Sequence, residues 1–303
     1  MTIPSKIIGL LLLVFFAFSA CKEEKATPSK DAKEMTMAAD LAKVPDSWID
    51  KRVAKAKTRL GQSEAGKIVW NAMEAHGGLG QWYKNGPVSF QFYYKPLDGG
   101  TPRNTHQIVE TWSSRARHKK VNDSISQYGW DGKNAWVQAK DSTVFPYNTR
   151  FWSLTPYFFM AQPFVLDGQG TNLELLPQEN YKDTTYDVIR VTFDAGTGDA
   201  PDDYYVLYFN AENHQLGVIR YVVSYPKYFK KGEHTPEKFM ELYGQQTVNG
   251  IVLPERYQTH WLVSNNQPGE YITDIRLSNV SFVPELEDHY FTVPEGAEVL
   301  EGL

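Results

Sequence analysis

The sequence predicts a mostly β fold with some α, in which an antiparallel meander of ten to twelve strands curls into a barrel or part-barrel. Three observations predict it. From Pro87 onward, apolar residues recur with a period of two in one short segment after another. Hairpin signals join many of these segments with no helix between them, which makes neighbours antiparallel. Aromatics make up 14% of the 303 residues and hydrophobics 42%, enough to fill a core and to exclude general disorder. The net charge of −5 gives no support to a nucleic-acid binder, which needs a basic surplus. A single cysteine excludes a disulfide framework and a multi-cysteine metal site.

The elements follow in chain order. Lys6 precedes an uncharged, mostly apolar run over 7–20. A membrane span needs about 20 residues, so residues 1–20 read as a signal peptide. Phe18-Ser19-Ala20-Cys21 resembles the lipobox of bacterial lipoproteins, with Phe18 in place of the usual leucine. That resemblance implies cleavage before Cys21, acylation of its sulfur and a membrane anchor through that lipid. Lys22-Glu23-Glu24 resembles the surface-export signal of Bacteroidota-type lipoproteins, implying an outer-membrane location on the periplasmic or cell-surface face. Residues 21–46 hold no aromatic and are rich in Lys, Glu, Ala, Ser and Thr, which reads as a lipidated flexible tether. One domain is expected over 47–303.

Asp46-Ser47 can cap a helix to about Leu60, with Ile49, Val53, Ala56 and Leu60 as its apolar stripe. Lys51, Arg52, Lys55, Lys57 and Arg59 fill its other faces. They read either as contacts to anionic headgroups or as a solvated face. Ser63 can cap a second helix that places Ala65, Ile68, Ala72 and Ala75 on one side, and Gly77-Gly78 ends it. In the first strand, Val88, Phe90, Phe92 and Tyr94 share one face. Further strands are expected at 104–112, 115–121, 125–130, 134–140, 172–178, 185–194, 203–210, 216–225, 239–248, 251–263 and 270–283. Asn249-Gly250 is a type I′ hairpin loop, and Asp131-Gly132 marks another. Between the strands, the uncharged segment 151–166 suggests Thr155 as N-cap, Pro156 at N1 and a stop at Pro163. Without charge, it should be buried against the concave side of the sheet. Several strands are apolar on both faces, as in Tyr204, Val206 and Tyr208 against Tyr205, Leu207 and Phe209. Something must therefore cover the second face: helices, a ligand, or both.

Three motifs resemble the LolA/LolB-like outer-membrane lipoprotein-localisation superfamily, and in particular its lipoprotein branch. They are Ala75-His76-Gly77-Gly78 with Trp82 and the aromatic strand after it, Asp131-Gly132-Lys133 with Trp136, and Phe291-Thr292-Val293-Pro294. The resemblance implies an antiparallel open half-barrel of about 11 strands with helices covering the concave face, where acyl chains or another hydrophobic ligand bind. It implies no catalytic residues and no cofactor. Lipidation of the chain itself departs from the soluble carriers and favours a fixed receptor.

The chemistry sought elsewhere is sparse. None of the seven histidines is three to five residues from another, so zinc ligation has no support. His118, between Arg117 and Lys119, reads as a solvated strand residue, and His76 as a helix end where the dipole favours a cation. Asp194, Asp199, Asp202 and Asp203 lack calcium-loop spacing and read as a polar hairpin loop. The candidate ligand-binding residues are Phe90, Phe92, Trp112, Trp136, Trp152, Phe158 and Phe159, each also readable as ordinary core. The sequence thus points to a monomeric, non-enzymatic lipoprotein that binds a lipid or acyl chain. Two rivals remain: a surface module that binds a glycan or protein through exposed aromatic strands, and a hydrolase of converging Asp, Glu and His.

Overall fold

The computed structural model describes residues 41–302 except Ser124. The expected signal peptide, Cys21 and the tether up to residue 40 lie outside the described residues. Leu41 bridges to Glu287, and Ala42, fully buried, donates its N–H to the Leu286 carbonyl. These two positions, inside the segment expected as tether, therefore pack against the C-terminal part of the domain.

Helix α1 (Asp46–Leu60) buries Ile49, Ala56 and Leu60, on the stripe read from the spacing. Pro45 takes the N-cap position without a side-chain cap bond, so Asp46 acts as a first-turn acid against the helix dipole instead. Helix α2 (Glu64–Ala75) starts as expected: Ser63 Oγ accepts the Gly66 N–H at 3.0 Å. Its buried stripe of Ala65, Val69, Ala72 and Met73 is turned by about one residue from Ile68 and Ala75, which are only half-buried. Gly77 ends the helix at φ 111°. A Cβ there would also sit 2.1 Å from the Gly250 carbonyl oxygen, so glycine is required twice over. Helix α3 (Leu79–Lys84) follows, and Trp82 on it stacks on Phe164 with ring centres 4.8 Å apart.

The strands are β1 (Val88–Pro96), β2 (Arg103–Val109), β3 (Ala116–Lys120), β4 (Gln127–Trp130), β5 (Ala135–Gln138), β6 (Thr171–Tyr181), β7 (Thr184–Phe193) and β8 (Tyr205–Asn210). They continue with β9 (Leu216–Tyr221), β10 (Lys238–Tyr243), β11 (Gln246–Val248), β12 (Ile251–Leu253), β13 (Arg256–Val263), β14 (Gln267–Phe282) and β15 (Glu298–Val299). Thirteen of them form one antiparallel sheet in the order β15-β5-β4-β3-β2-β1-β14-β13-β10-β9-β8-β7-β6. The sheet does not close, so the architecture is an open half-barrel. The count exceeds the expected eleven or so partly through the two-residue β15, which adds to β5. Each of two expected long strands is broken, one after Tyr243 where Gly244 has φ 66° and one at Pro254. The fragments β11 and β12 pair separately across Asn249-Gly250, whose φ values of 48° and 82° give the expected turn.

Alternation sorts the side chains onto two faces. Phe90, Phe92, Tyr128, Leu207, Ile219, Met240 and Tyr257 point inward, into one core shared with α1–α3 and the mid-chain segment. Tyr181, Val188, Val206, Tyr208, Val218 and Phe239 form a second cluster on the outer face. Its cover is neither a helix nor a ligand. After a register shift between Leu176 and Glu179, β6 crosses over the outside of the sheet. Tyr181 then packs on Phe239 at 5.1 Å, and its hydroxyl donates to Glu241 on β10 at 2.8 Å. Glu179 accepts from the Tyr208 hydroxyl and from Asn266. The strand thus supplies apolar cover and saturates the polar rim of the patch it covers.

The uncharged mid-chain segment differs from its expected single helix. It forms α4 (Thr149–Trp152), α5 (Thr155–Met160) and a 3-10 turn at Phe164–Leu166. Asn148 caps α4 by accepting the Phe151 N–H. Thr155 lies inside α5 and donates its hydroxyl back to the Phe151 carbonyl at 2.6 Å, so Leu154 rather than Thr155 is the N-cap. Pro156 does occupy the first turn.

Candidate functional site

A cavity of about 490 Å³ lies between the inner face of the sheet and the mid-chain segment. Its sheet side is built by Phe92 and Tyr94 of β1, Phe193 of β7, Tyr205 of β8, Tyr221 of β9, Met240 of β10 and Ile275 of β14. Its other side is built by Trp152, Phe158 and Phe159. The two sides interlock at the edges: Phe158 meets Tyr205 at 4.7 Å, Phe159 meets Tyr221 at 5.0 Å, and Trp152 meets Tyr94 at 5.0 Å. The lining includes exposed Gly198 in the β7–β8 loop, so this end of the cavity reaches the surface.

Few polar groups face the space. Arg150 forms a two-bond pair with Asp199 at 2.7 and 2.9 Å, joining α4 to the β7–β8 loop at the mouth. Asp203 accepts both the backbone N–H and the hydroxyl of Ser224, at 2.6 and 2.7 Å. Burial raises its pKa, against the pull of those bonds and of the Lys238 charge. Burial lowers Lys238 to about 8, with Asp203 opposing the shift. The loop read as a polar hairpin loop therefore supplies two of its aspartates to the cavity, while Asp194 accepts from Asn172 outside it.

Of the candidate ligand-binding residues, Phe92, Trp152, Phe158 and Phe159 come together in the lining. Phe90 faces inward but is sealed in the core. Trp112, in the turn after β2, is half-buried against the same core. Trp136 is a correction: it sits on the outer face, opposite Gly129, under the Arg117 guanidinium, which lies 5.2 Å from its ring centre. Gly129 is glycine because a Cβ there would come within 2.7 Å of that indole. The spacing pairs Trp136 with Trp130 in sequence, yet the two differ in face because the register sets Trp130 against Ala135.

Sequence reasoning missed Phe193, Tyr205, Tyr221 and Lys238. The signal was present in the register: Tyr205 pairs with Tyr221, and Tyr221 with Lys238, on one inward row. The strand expected from 239 began one residue too late to include the lysine.

The cavity's cover is fastened to the helices. Asp167, just after the 3-10 turn, accepts Arg52 Nε at 2.5 Å and Arg52 Nη2 at 2.8 Å, and the Tyr83 hydroxyl at 2.6 Å. Arg59 donates to the Leu166 carbonyl. Two of the five cations on α1 are thus tied inside the protein, and Lys57 lies over the Trp70 ring at 5.5 Å. That use corrects the headgroup-binding reading of the whole face.

Two histidines are also corrected. His118 is fully buried, stacked on Tyr128 at 4.4 Å. Its Nε2 is 2.8 Å from the Ser153 carbonyl, which can only accept, so that nitrogen carries the proton. Burial takes this imidazole down to about 3. The neighbours Arg117 and Lys119 misled because they point outward while His118 points in. His76 is buried too, and burial lowers its pKa despite its helix-end position.

Among solved structures, the chain is similar to a LolA superfamily protein from Nitrosomonas europaea, at 12% identity and a TM-score of 0.47, covering 76% of this chain and 97% of that one. It is similar to a DUF1329 family protein from Desulfovibrio piger, at 13% identity and a TM-score of 0.48, covering 76% and 98%. A third is a putative outer membrane lipoprotein-sorting protein domain from Vibrio parahaemolyticus, at 9% identity and a TM-score of 0.45, covering 75% and 95%. No protein-family model matches the chain, and no curated protein matches it in sequence.

Proposed function

We propose that this protein is an envelope lipoprotein, anchored through the lipid on Cys21, that binds an acyl chain or similar hydrophobe without catalysis. The observation that carries the reading is the cavity. At about 490 Å³ it falls within the range of small-molecule sites, ~300–1,000 Å³. Its walls are aromatic and aliphatic on both sides. Binding by burial follows, since each methylene removed from water contributes about 0.8 kcal/mol. On this reading Phe92, Trp152, Phe158 and Phe159 are ligand contacts, and the mid-chain segment is the cover that a ligand must pass or displace. The protein acts as a monomer held at the outer membrane, and acquires or presents the ligand there.

A surface module would instead carry a contiguous exposed aromatic patch. Among the described residues, the large exposed apolar side chains are Leu97, Ile125, Leu175, Tyr228, Val263 and Val299, only one of them aromatic and all on separate segments. That distribution favours the cavity.

The test is native mass spectrometry and solvent extraction of the chain carrying Cys21→Ser, produced in a bacterial host and purified without detergent. Co-purified single-chain or acylated lipid is the expected result. Protein that emerges empty and takes up no added amphiphile rules the reading out.

A further inference from the structure

Among the described residues, one cation of the cavity lining has no carboxylate in ion-pair contact. Lys238 opens β10 on the inward row, paired with Tyr221 of β9 on one side and Trp261 of β13 on the other. Its ammonium lies 5.3 Å from the centre of each of those rings and donates to Thr235 Oγ1 at 3.2 Å. Among the described residues no carboxylate lies within 4 Å of it. Of the two acids of the lining, Asp199 is paired with Arg150, while Asp203, held by Ser224, acts on the lysine only through its field from beyond ion-pair distance. The other wall groups near it, Tyr205, Tyr221 and Met240, cannot supply a negative charge at neutral pH, because burial raises both phenols.

A desolvated ammonium without a close counter-charge is costly, and an anion brought by the ligand removes that cost. We propose that Lys238 receives the anionic end of a single-chain amphiphile, a carboxylate or a phosphate, and so fixes which end of the ligand lies on the β9–β10–β13 side. The chain then runs along the Phe158–Phe159 wall. This rests on the cavity reading above and adds the ligand's polarity to it. In this arrangement the apolar walls supply affinity and the lysine supplies orientation. Lowering of the lysine by burial accords with the same geometry, since a fraction of the wild-type ammonium deprotonates near pH 8 when no anion is bound.

The experiment is calorimetric titration at pH 7 of the full chain carrying Cys21→Ser, stripped of lipid, with four probes of equal chain length below their micelle concentrations. They are dodecanoate, dodecyl phosphate, dodecanol and dodecyltrimethylammonium. The expected order puts both anions ~10-fold or more tighter than dodecanol, with the cation weakest. Lys238→Met should bring both anions down to the affinity that the same variant shows for dodecanol, and Lys238→Arg should restore the preference. Whether the carboxylate or the phosphate binds tighter tells a fatty acid from a phospholipid-like source. Equal binding of the anions and dodecanol by the wild-type chain overturns the proposal and leaves the cavity reading standing. Failure of all four probes to bind overturns both. The wild-type comparison needs no variant, so a poorly folding substitution cannot rescue the idea.

Discussion

Acidification should destabilise this protein in part through one residue. His118 is neutral in the folded state, with its proton on Nε2 and its pKa near 3, whereas an unfolded histidine titrates near 6.5. Between those values the unfolded state binds more protons than the folded one. Stability therefore falls as pH falls through that window, by ~1.4 kcal/mol per pH unit at most. Going from pH 7 to pH 4.5 should cost about 2.5 kcal/mol from this group alone. The comparison is His118→Gln, whose amide can still donate to the Ser153 carbonyl but cannot take the proton. Urea unfolding of both chains at pH 7, 5.5 and 4.5 gives the difference, and other titrating groups, His76 included, cancel in it. The gap between the two stabilities should shift by about 2.5 kcal/mol towards the variant at the lowest pH. Parallel pH profiles would refute the buried neutral ring.

Four further substitutions probe the rest of the scaffold. Asp167→Ala strands the Arg52 guanidinium and the Tyr83 hydroxyl, and should cost about 2–4 kcal/mol in urea unfolding; a loss under ~0.5 would mean the fastening is incidental. Gly77→Ala forces a Cβ against the Gly250 carbonyl at a positive φ and should lose about 1–3 kcal/mol, whereas Gly196→Ala, with open space around it, should lose less. Met240→Trp places an indole in the cavity; dodecanol affinity should drop ~10-fold or more while the fold persists, as seen by circular dichroism, and unchanged affinity would place the ligand elsewhere.

Much of this molecule could be read from its residues, for reasons that differ by element. Helix α1 ends where its stripe ends, at buried Leu60, with Gly61 as its C-cap. The Ser63 cap and the Asn249-Gly250 turn are local chemistry, and local chemistry survives folding. The cover of the outer face was not legible. It depends on β6 crossing the sheet after a register shift between Leu176 and Glu179, where Pro177, without an N–H for the ladder, marks a break but not the path the strand takes after it. The site was half-legible for the same reason. Alternation places Phe92 inward, but only the pairing of β9 with β10 brings Tyr221 beside Lys238. Composition misled at His118, where two charged neighbours suggested water and the pleat placed the ring in the core.

The strand order has a consequence for how the molecule is made. At the middle of the sheet, β1 pairs with β14, so Phe92 waits for Leu277, about 185 residues later. At ~5–20 residues per second, that is a gap of roughly 10–40 s during synthesis. Until the C-terminal stretch arrives, β1 has an open edge, and the meander β1–β5 has no link through the sheet to β6–β10. Strand β14, made late, is thus the keystone of the sheet. A chain cut short before Gln267 leaves two aromatic half-sheets with no strand between them, ready prey for proteases and for each other.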